Sequence, residues 1–271
     1  METRMAGRTE FAHEVRRLVL EQSKRAHVGH IGSSLAVADI VALLYGRLLK
    51  DQDPDAAERD RVILSKGHAA LALYAALHLA GHITAADLDT YCADDSLLGV
   101  HPEPGLKGVD FASGSLGMGL SVAAGAALAA RIQGGERRVF AIVSDAECDE
   151  GAVWEAAMFA AHHRLANLVA IVDMDAQQAF GFTRDVLDLE PMAERWRAFG
   201  WDVHEVDGHD IDLMQATIEG LATVGPPHVL VARTVFGHGV SYMEGQIDWH
   251  YLPMDDVQYT RALRDIEALR S

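Results

Sequence analysis

The sequence predicts an α/β fold, a parallel β-sheet flanked by helices on both faces. Three observations carry that expectation. Strand-like runs at 139–143, 168–173, 202–206 and 228–233 alternate with segments of helical spacing, the pattern that parallel sheets covered on both faces produce. Val139 to Val143 and Leu168 to Val172 within the first two of these runs are wholly apolar, as strands buried on both faces are. The chain's 271 residues and 49% apolar content suffice for one large α/β domain, able to bury about 75% of its unfolded surface. Residues 1–271 are accordingly expected to form a single domain.

Each element has a local reason. Phe11, Val15, Leu18 and Val19 recur at helical spacing, which predicts a helix over 8–26. Ser33 and Ser34 can cap a second helix running to Leu48, before a polar stretch containing Pro54. Leu64 to His68 reads as a turn that opens an alanine-rich helix to about Ala80. Residues 92–115, with Pro102, Pro104, Gly105, Gly108 and Gly114, form a long loop, and long loops inside compact domains tend to carry function. A small-residue helix is expected from Leu116 to Ala130, and a tryptophan-bearing one from Gly151. A last helical run, Thr260–Leu269, ends as a natural C-terminus does.

Composition narrows the function. A formal charge of −17 and a pI near 5.1 argue against nucleic-acid or anionic-membrane binding, which need basic patches. Cys92 and Cys148 provide neither a disulfide framework nor a zinc spacing. No apolar run approaches the roughly 18 residues of a spanning helix, and no signal-peptide core stands at the N-terminus. The reading is cytoplasmic.

The chemistry concentrates in residues 139–181. Val139 to Val143 stops at Ser144-Asp145-Ala146, followed by an acidic turn from Glu147 to Glu150. Leu168 to Val172 ends at Asp173-Met174-Asp175-Ala176-Gln177. Two carboxylates just past the carboxyl ends of two strands fall in the crevice where open α/β sheets bind ligands. Oxygen ligands of this kind suit Mg²⁺, Ca²⁺ or Mn²⁺, with a phosphate completing the shell. Taken alone, such aspartates also serve as helix caps. The turn Ser113-Gly114-Ser115-Leu116-Gly117 before a helix start lets backbone approach an anion, although a lone glycine-rich turn is unspecific.

The neighbouring residues supply the specificity. Glu150-Gly151, Trp154-Glu155-Ala156, Asn167-Leu168 and the stretch Asp173, Asp175, Gly181 stand in the order seen in thiamine-diphosphate enzymes. So do Gly29-His30-Ile31-Gly32, Ser65-Lys66-Gly67-His68-Ala69, His101-Pro102-Glu103 and Trp249-His250. Across about residues 10–255 the chain resembles the transketolase family, which implies a thiamine diphosphate-binding fold of the diphosphate-binding type. The resemblance implies that Asp145, the Asp175 side chain and the Gln177 carbonyl bind the metal. It further implies that His68 contacts the diphosphate, that Gly114 and Leu116 meet the aminopyrimidine through backbone groups, and that Ala146 lies beside the diphosphate. Ala179 would face the thiazolium ring, and Glu150 would relay contacts near a subunit interface. His101 would grip the C1 hydroxyl of the donor, while His30 and His250 handle protons at the reacting carbonyl, a task suited to imidazole. His13, His27, His162 and His163 match nothing and are read as surface or helix residues. His238 is left open, and Glu205 to Asp210 is read as a turn shaping the sheet edge.

Departures from the family pattern are also legible. Ser144-Asp145-Ala146 replaces Gly-Asp-Gly, so the Ala146 methyl is expected to crowd the diphosphate or to forbid a positive φ there. Asp175 stands where an asparagine is usual. A carboxylate about 5 Å from the diphosphate, at an effective dielectric near 20, costs roughly 3 kcal/mol, opposed by closer attraction to the metal. The family's cofactor-activating glutamate lies on a second, pyrimidine-binding domain, and full-length relatives are more than twice as long. The resemblance therefore implies a separate partner subunit carrying that domain and glutamate, in an α₂β₂ assembly acting on sugar or sugar-phosphate substrates. The implied activity is transfer of a two-carbon ketol unit from a ketose to an aldehyde. Thiamine-dependent acyl transfer or decarboxylation, and a non-catalytic cofactor-binding subunit, remain open alternatives.

Overall fold

The computed structural model describes residues 2–50 and 53–270. Five parallel strands form one sheet in the order β1-β2-β3-β7-β6: β1 (Arg61–Leu64), β2 (Val139–Ser144), β3 (Leu168–Met174), β6 (Asp202–Asp207) and β7 (His228–Arg233). A short hairpin, β4 (Gln177–Gln178) with β5 (Gly181–Phe182), follows β3. Residues alternate between two cores, as strand geometry requires. Phe140 and Ile142 join the core on one face, against α1 (Glu2–Ala26), α2 (Ile31–Ala36), α3 (Ala38–Leu43) and α4 (Ala70–Leu79). The same core takes in α10 (Ile211–Glu219) and α11 (Asp256–Ala268). Val139, Ala141 and Val143 join the other core, against α6 (Met118–Ile132), α7 (Gly151–His162) and α9 (Met192–Ala198). Two one-turn helices, α5 (Ala85–Leu88) and α8 (Thr183–Val186), complete the set. Among the described residues no helix is long and apolar enough to cross a membrane.

The four expected strands are present, and the long loop at 92–115 holds no helix or strand of the fold. Two expectations need correction. Arg61–Leu64 is a strand, pairing with Val139 to Ile142, whereas Leu64 reads as the first residue of a turn. The helix expected from Ser33–Ser34 to Leu48 begins earlier, at Ile31, pauses at Val37 and ends in a π-type turn, Leu44–Leu48. Ser33 and Ser34 are buried inside α2 rather than capping it. The cap position belongs to His30, whose backbone is left-handed at φ 59° and whose carbonyl accepts from the Ser34 N–H at 3.2 Å.

Because all five strands point the same way, their carboxyl ends open on one side. Ser65 to His68 leave β1 there, Asp145 leaves β2, Asp175 leaves β3, and Thr234 to His238 leave β7. The opposite side gathers the first residues of the strands, including Asp202 and His228.

Candidate active site

The acidic side of the crevice is built from the ends of β2 and β3. Asp145 accepts the N–H of Ala146 (2.8 Å) on one oxygen and that of Ala176 (3.0 Å) on the other. Those bonds tie the two strand ends together and leave Ala176 in left-handed backbone at φ 63°. Asp175 accepts the Gln177 N–H at 2.9 Å, and Lys66 Nζ lies 3.4 Å from its other oxygen. Lys66 also donates in a short contact to Asp173, which in turn receives Thr234 Oγ1. Three carboxylates therefore surround one ammonium, all of them buried. Burial raises the Asp145 carboxyl well above its ordinary range, helped by repulsion from Asp175 and Asp173. Burial likewise pushes Asp175 up to about 6 against the pull of Lys66. A buried cluster this short of positive charge has the donor set and the deficit that a divalent cation satisfies.

The histidine side converges from four separate stretches. His30 comes from the start of α2, His68 from the 3₁₀ turn Gly67–Ala69, and His250 from the 3₁₀ turn Ile247–His250. Their ring centroids form a near-equilateral triangle: His30–His250 5.3 Å, His68–His250 5.5 Å and His30–His68 5.7 Å. His101 comes from the long loop and packs on Gly114, where a Cβ would stand 3.1 Å from the imidazole. The Gly29-His30-Ile31-Gly32 motif works by close approach. A Cβ on Gly29 would meet the Tyr251 carbonyl oxygen at 2.4 Å, and one on Gly32 the Phe236 ring at 2.2 Å. The His30 N–H donates to the His250 carbonyl at 3.2 Å, so two residues 220 positions apart are locked together by backbone.

Burial lowers the affinity of this cluster for protons. His250 falls to about 4 through burial and then the neighbouring His30 and Lys66. His68 drops well below its ordinary value through burial, Lys66 and its fellow histidines. His30 is lowered by burial and by His101. In all three imidazoles burial favours the neutral form. Nδ1 of His30, Nδ1 of His250, Ser113 Oγ and Gln177 Oε1 are buried without a hydrogen-bond partner in the chain, so the crevice offers unspent polar atoms to a ligand.

Around the crevice, Glu147 is the buried knot. It accepts from Ser65 Oγ (2.6 Å), Gly117 N (2.8 Å) and Ser144 N (3.0 Å), joining the ends of β1 and β2 to the start of α6. Ala179 sits at the tip of the β4–β5 hairpin, its carbonyl accepting the Tyr251 hydroxyl at 2.7 Å. Glu150 is exposed at the start of α7, close under Gly117. Phe180, Tyr251, Leu252, Met118 and Leu116 leave an exposed apolar rim beside these groups.

The profile of the family described as "transketolase, thiamine diphosphate binding domain" matches residues 7–267. The chain belongs to the transketolase family. It is 38% identical over 260 residues to the 6-deoxy-6-sulfo-D-fructose transketolase subunit SqwG of Clostridium sp. (strain MSTE9), with 94% of each chain covered. It is 40% identical over 239 residues to one subunit of the apulose-4-phosphate transketolase of Actinobacillus succinogenes, with 87% of each covered. Transketolase from Campylobacter jejuni superposes with a TM-score of 0.88 at 28% identity, over 96% of this chain. The chain spans 42% of that enzyme's length.

Within this transketolase domain, the sequence-derived aspartates and histidines do converge on one crevice, with Gly114 against His101 and the Gln177 N–H bonded to Asp175. Ala146 is helical, within the 3₁₀ turn Ala146–Asp149, and is absent from the positive-φ residues. A side chain there is unstrained, so the concern about a forbidden φ is removed. His13 is buried and lies 3.0 Å from Glu267, packing α1 against α11 rather than facing solvent. His209 and His238 stack at 3.6 Å, and Asp210 caps α10 through the Leu213 N–H, which agrees with the structural reading of that turn. Sequence reasoning passed over Lys66, Asp173 and Glu147. The one clear signal was Asp173 inside the otherwise apolar β3, where an ionised group needs a partner; Lys66 and Glu147 stand in turns, where a charge draws no notice.

Proposed function

We propose that the chain is the diphosphate-binding subunit of a split transketolase, transferring a two-carbon ketol unit from a ketose to an aldehyde acceptor. The observation that carries this reading is the convergence of three imidazoles beside a cluster of buried carboxylates at the strand ends. Asp145, Asp175 and the Gln177 carbonyl would hold Mg²⁺, and His68 with Gly114 and Leu116 would hold the cofactor. Ala146 would line the diphosphate and Ala179 the thiazolium side. Thiamine diphosphate supplies, when bound, the nucleophilic carbon and electron sink for breaking a C–C bond beside a carbonyl.

The chain's own residues then bind, orient and move protons. His101 orients the donor's terminal hydroxyl. His30 and His250 are held toward the neutral form, so each ring can accept a proton from a sugar hydroxyl and return it. A set of imidazoles suits a substrate rich in hydroxyls, which favours sugars over the other thiamine-dependent chemistries. The exposed apolar rim and Glu150 beside it support a separate subunit that covers the crevice and brings the activating glutamate, as pairs in an α₂β₂ assembly. The names of the two relatives, each called a subunit, support the same division. We read residues 1–271 as one thiamine-diphosphate domain, and the acidic balance and unpaired cysteines fit a cytoplasmic enzyme.

Co-expression with the partner subunit, followed by assay of xylulose 5-phosphate consumption against a panel of aldehydes, tests the activity. Ketol transfer that requires both chains and thiamine diphosphate is expected. Calorimetric binding of the cofactor with no turnover of any ketose donor would leave a chain that only binds, overturning the assignment.

A further inference from the structure

The end of the sheet opposite the crevice carries a second group of ionisable side chains. β6 and β7 pair in parallel with Asp202 opposite His228, and His204, two residues on, shares the face of Asp202. One register and one two-residue spacing thus bring three side chains together. Asp202 Oδ2 lies 3.0 Å from His228 Nδ1 and 3.2 Å from His204 Nε2, and the three ligand atoms all lie within 4.8 Å of one another.

His228 is the unusual member. It is fully buried, and both ring nitrogens face acceptors: Nε2 lies 2.8 Å from the Ala222 carbonyl and Nδ1 faces the carboxylate. Neutral imidazole has a single N–H. A carbonyl has no proton to give, so Nε2 holds that N–H and Nδ1 turns a lone pair toward a carboxylate oxygen. That contact is satisfied by a second proton on the ring or by a metal ion between the two groups.

We propose that Asp202, His204 and His228 form a binding site for a divalent transition metal of the zinc class, separate from the crevice. Zn²⁺ holds nitrogen and oxygen ligands at about 2.0–2.2 Å, which puts neighbouring ligand atoms of a tetrahedron roughly 3.3 Å apart. The observed 3.0 and 3.2 Å are within a few tenths of that span. The Nε2–H bond to Ala222 is the outer contact that sets the tautomer of a metal-binding histidine. Two imidazoles and one carboxylate favour Zn²⁺, Co²⁺ or Ni²⁺ over Mg²⁺. The side chains of Asp202 and His204 are 43% and 31% exposed, which opens the site to the ion and to a water as fourth ligand. β6 lies at the sheet edge with β7 as its one neighbour, so a bound ion clamps that edge.

The other three-residue grouping, Asp39, His209 and His238, has no such demand. His209 donates to Asp39 through Nδ1 and accepts from the Val235 N–H through Nε2, while Arg16 chelates Asp39. The hydrogen-bonding capacity of Asp39 and His209 is met without an ion.

The test is a Co²⁺ titration of the full chain after chelator treatment, read by visible absorption and calorimetry. His204→Ala and Asp202→Asn alter partly exposed side chains and keep the buried His228. Wild type is expected to bind one more Co²⁺ per chain than either variant, or to bind it at least about tenfold more tightly, with imidazole-type tetrahedral absorption. Comparison with the variants removes any Co²⁺ held by the crevice histidines. Identical stoichiometry, affinity and spectrum in all three proteins would overturn the proposal and leave a proton on His228 Nδ1. Should a variant fail to fold, a wild-type crystal grown with one equivalent of Zn²⁺ decides it. An anomalous peak about 2.1 Å from His228 Nδ1 supports the site, and no peak there sinks it.

Discussion

The histidine side and the aspartate side of the crevice face the same burial and answer it in opposite chemical terms. Desolvation disfavours the charged form of any group. It strips protons from His30, His68 and His250, and it presses protons onto Asp145 and Asp175. For the imidazoles the neutral form is the useful one, because a lone pair and an N–H are then available on one ring. For the aspartates the neutral form is the wrong one, because a metal takes the carboxylate. Burial thus favours the form the imidazoles need, and it opposes the carboxylate form that a metal ligand needs, most strongly at Asp145.

That contrast can be broken most severely on the acidic side. Asp145→Ala removes a carboxylate that holds two backbone N–H groups and one expected metal ligand. Cofactor binding by calorimetry is expected to weaken by on the order of 100-fold or more, with catalysis lost alongside it. On the other side, His30→Asn is expected to lower kcat by about 10²–10⁴-fold in the complex with the partner subunit while cofactor affinity changes little. If both constants fell together, the division between anchoring and proton handling would be wrong.

Metal titrations sharpen the comparison through pH. With Asp175 lifted to about 6, protons compete with Mg²⁺ as pH falls through that value. Apparent Mg²⁺ affinity is expected to drop by up to about tenfold per pH unit below it, through this one proton. Asp175→Asn has no proton to compete, so its profile flattens. Identical slopes in the two proteins would remove the charge argument for this substitution.

The smallest expected effect lies in the stability of the metal-free chain. The folded value of His250 is about 4 against an ordinary 6.5. Between those values the unfolded chain binds a proton that the folded chain refuses, so this residue makes stability fall as pH drops from about 6.5 to about 4. Asp175, raised from 3.8 to about 6, acts the other way, because the folded chain binds the extra proton over that range. His250→Asn is therefore expected to reduce the acid-side loss by on the order of 1 kcal/mol, measured as the slope of Tm with pH. Asp175→Asn is expected to steepen that loss.

Much of this was legible before any coordinates. Apolar runs ending in Asp145 and Asp175 can be read because strand burial is a local composition and strand ends in parallel sheets share one side. The histidine motifs were legible as an ordered set, and the structure brings them within one crevice. β1 escaped notice because four residues carry too little periodicity to separate a strand from the approach to a turn. The placing of Ser33 and Ser34 inside α2 escaped because the true start depends on a left-handed His30, held by the His250 carbonyl far along the chain.

Element types, the crevice and the residues lining it follow from patterns written within short stretches of chain, where neighbours along the backbone dictate the outcome. Which charges meet there does not. Lys66 against Asp173 and Asp175, Glu147 under three donors, and His228 between a carbonyl and a carboxylate all depend on strand order and register. Electrostatic partners are chosen by distance in space, and a linear pattern holds no record of that distance until the sheet has closed.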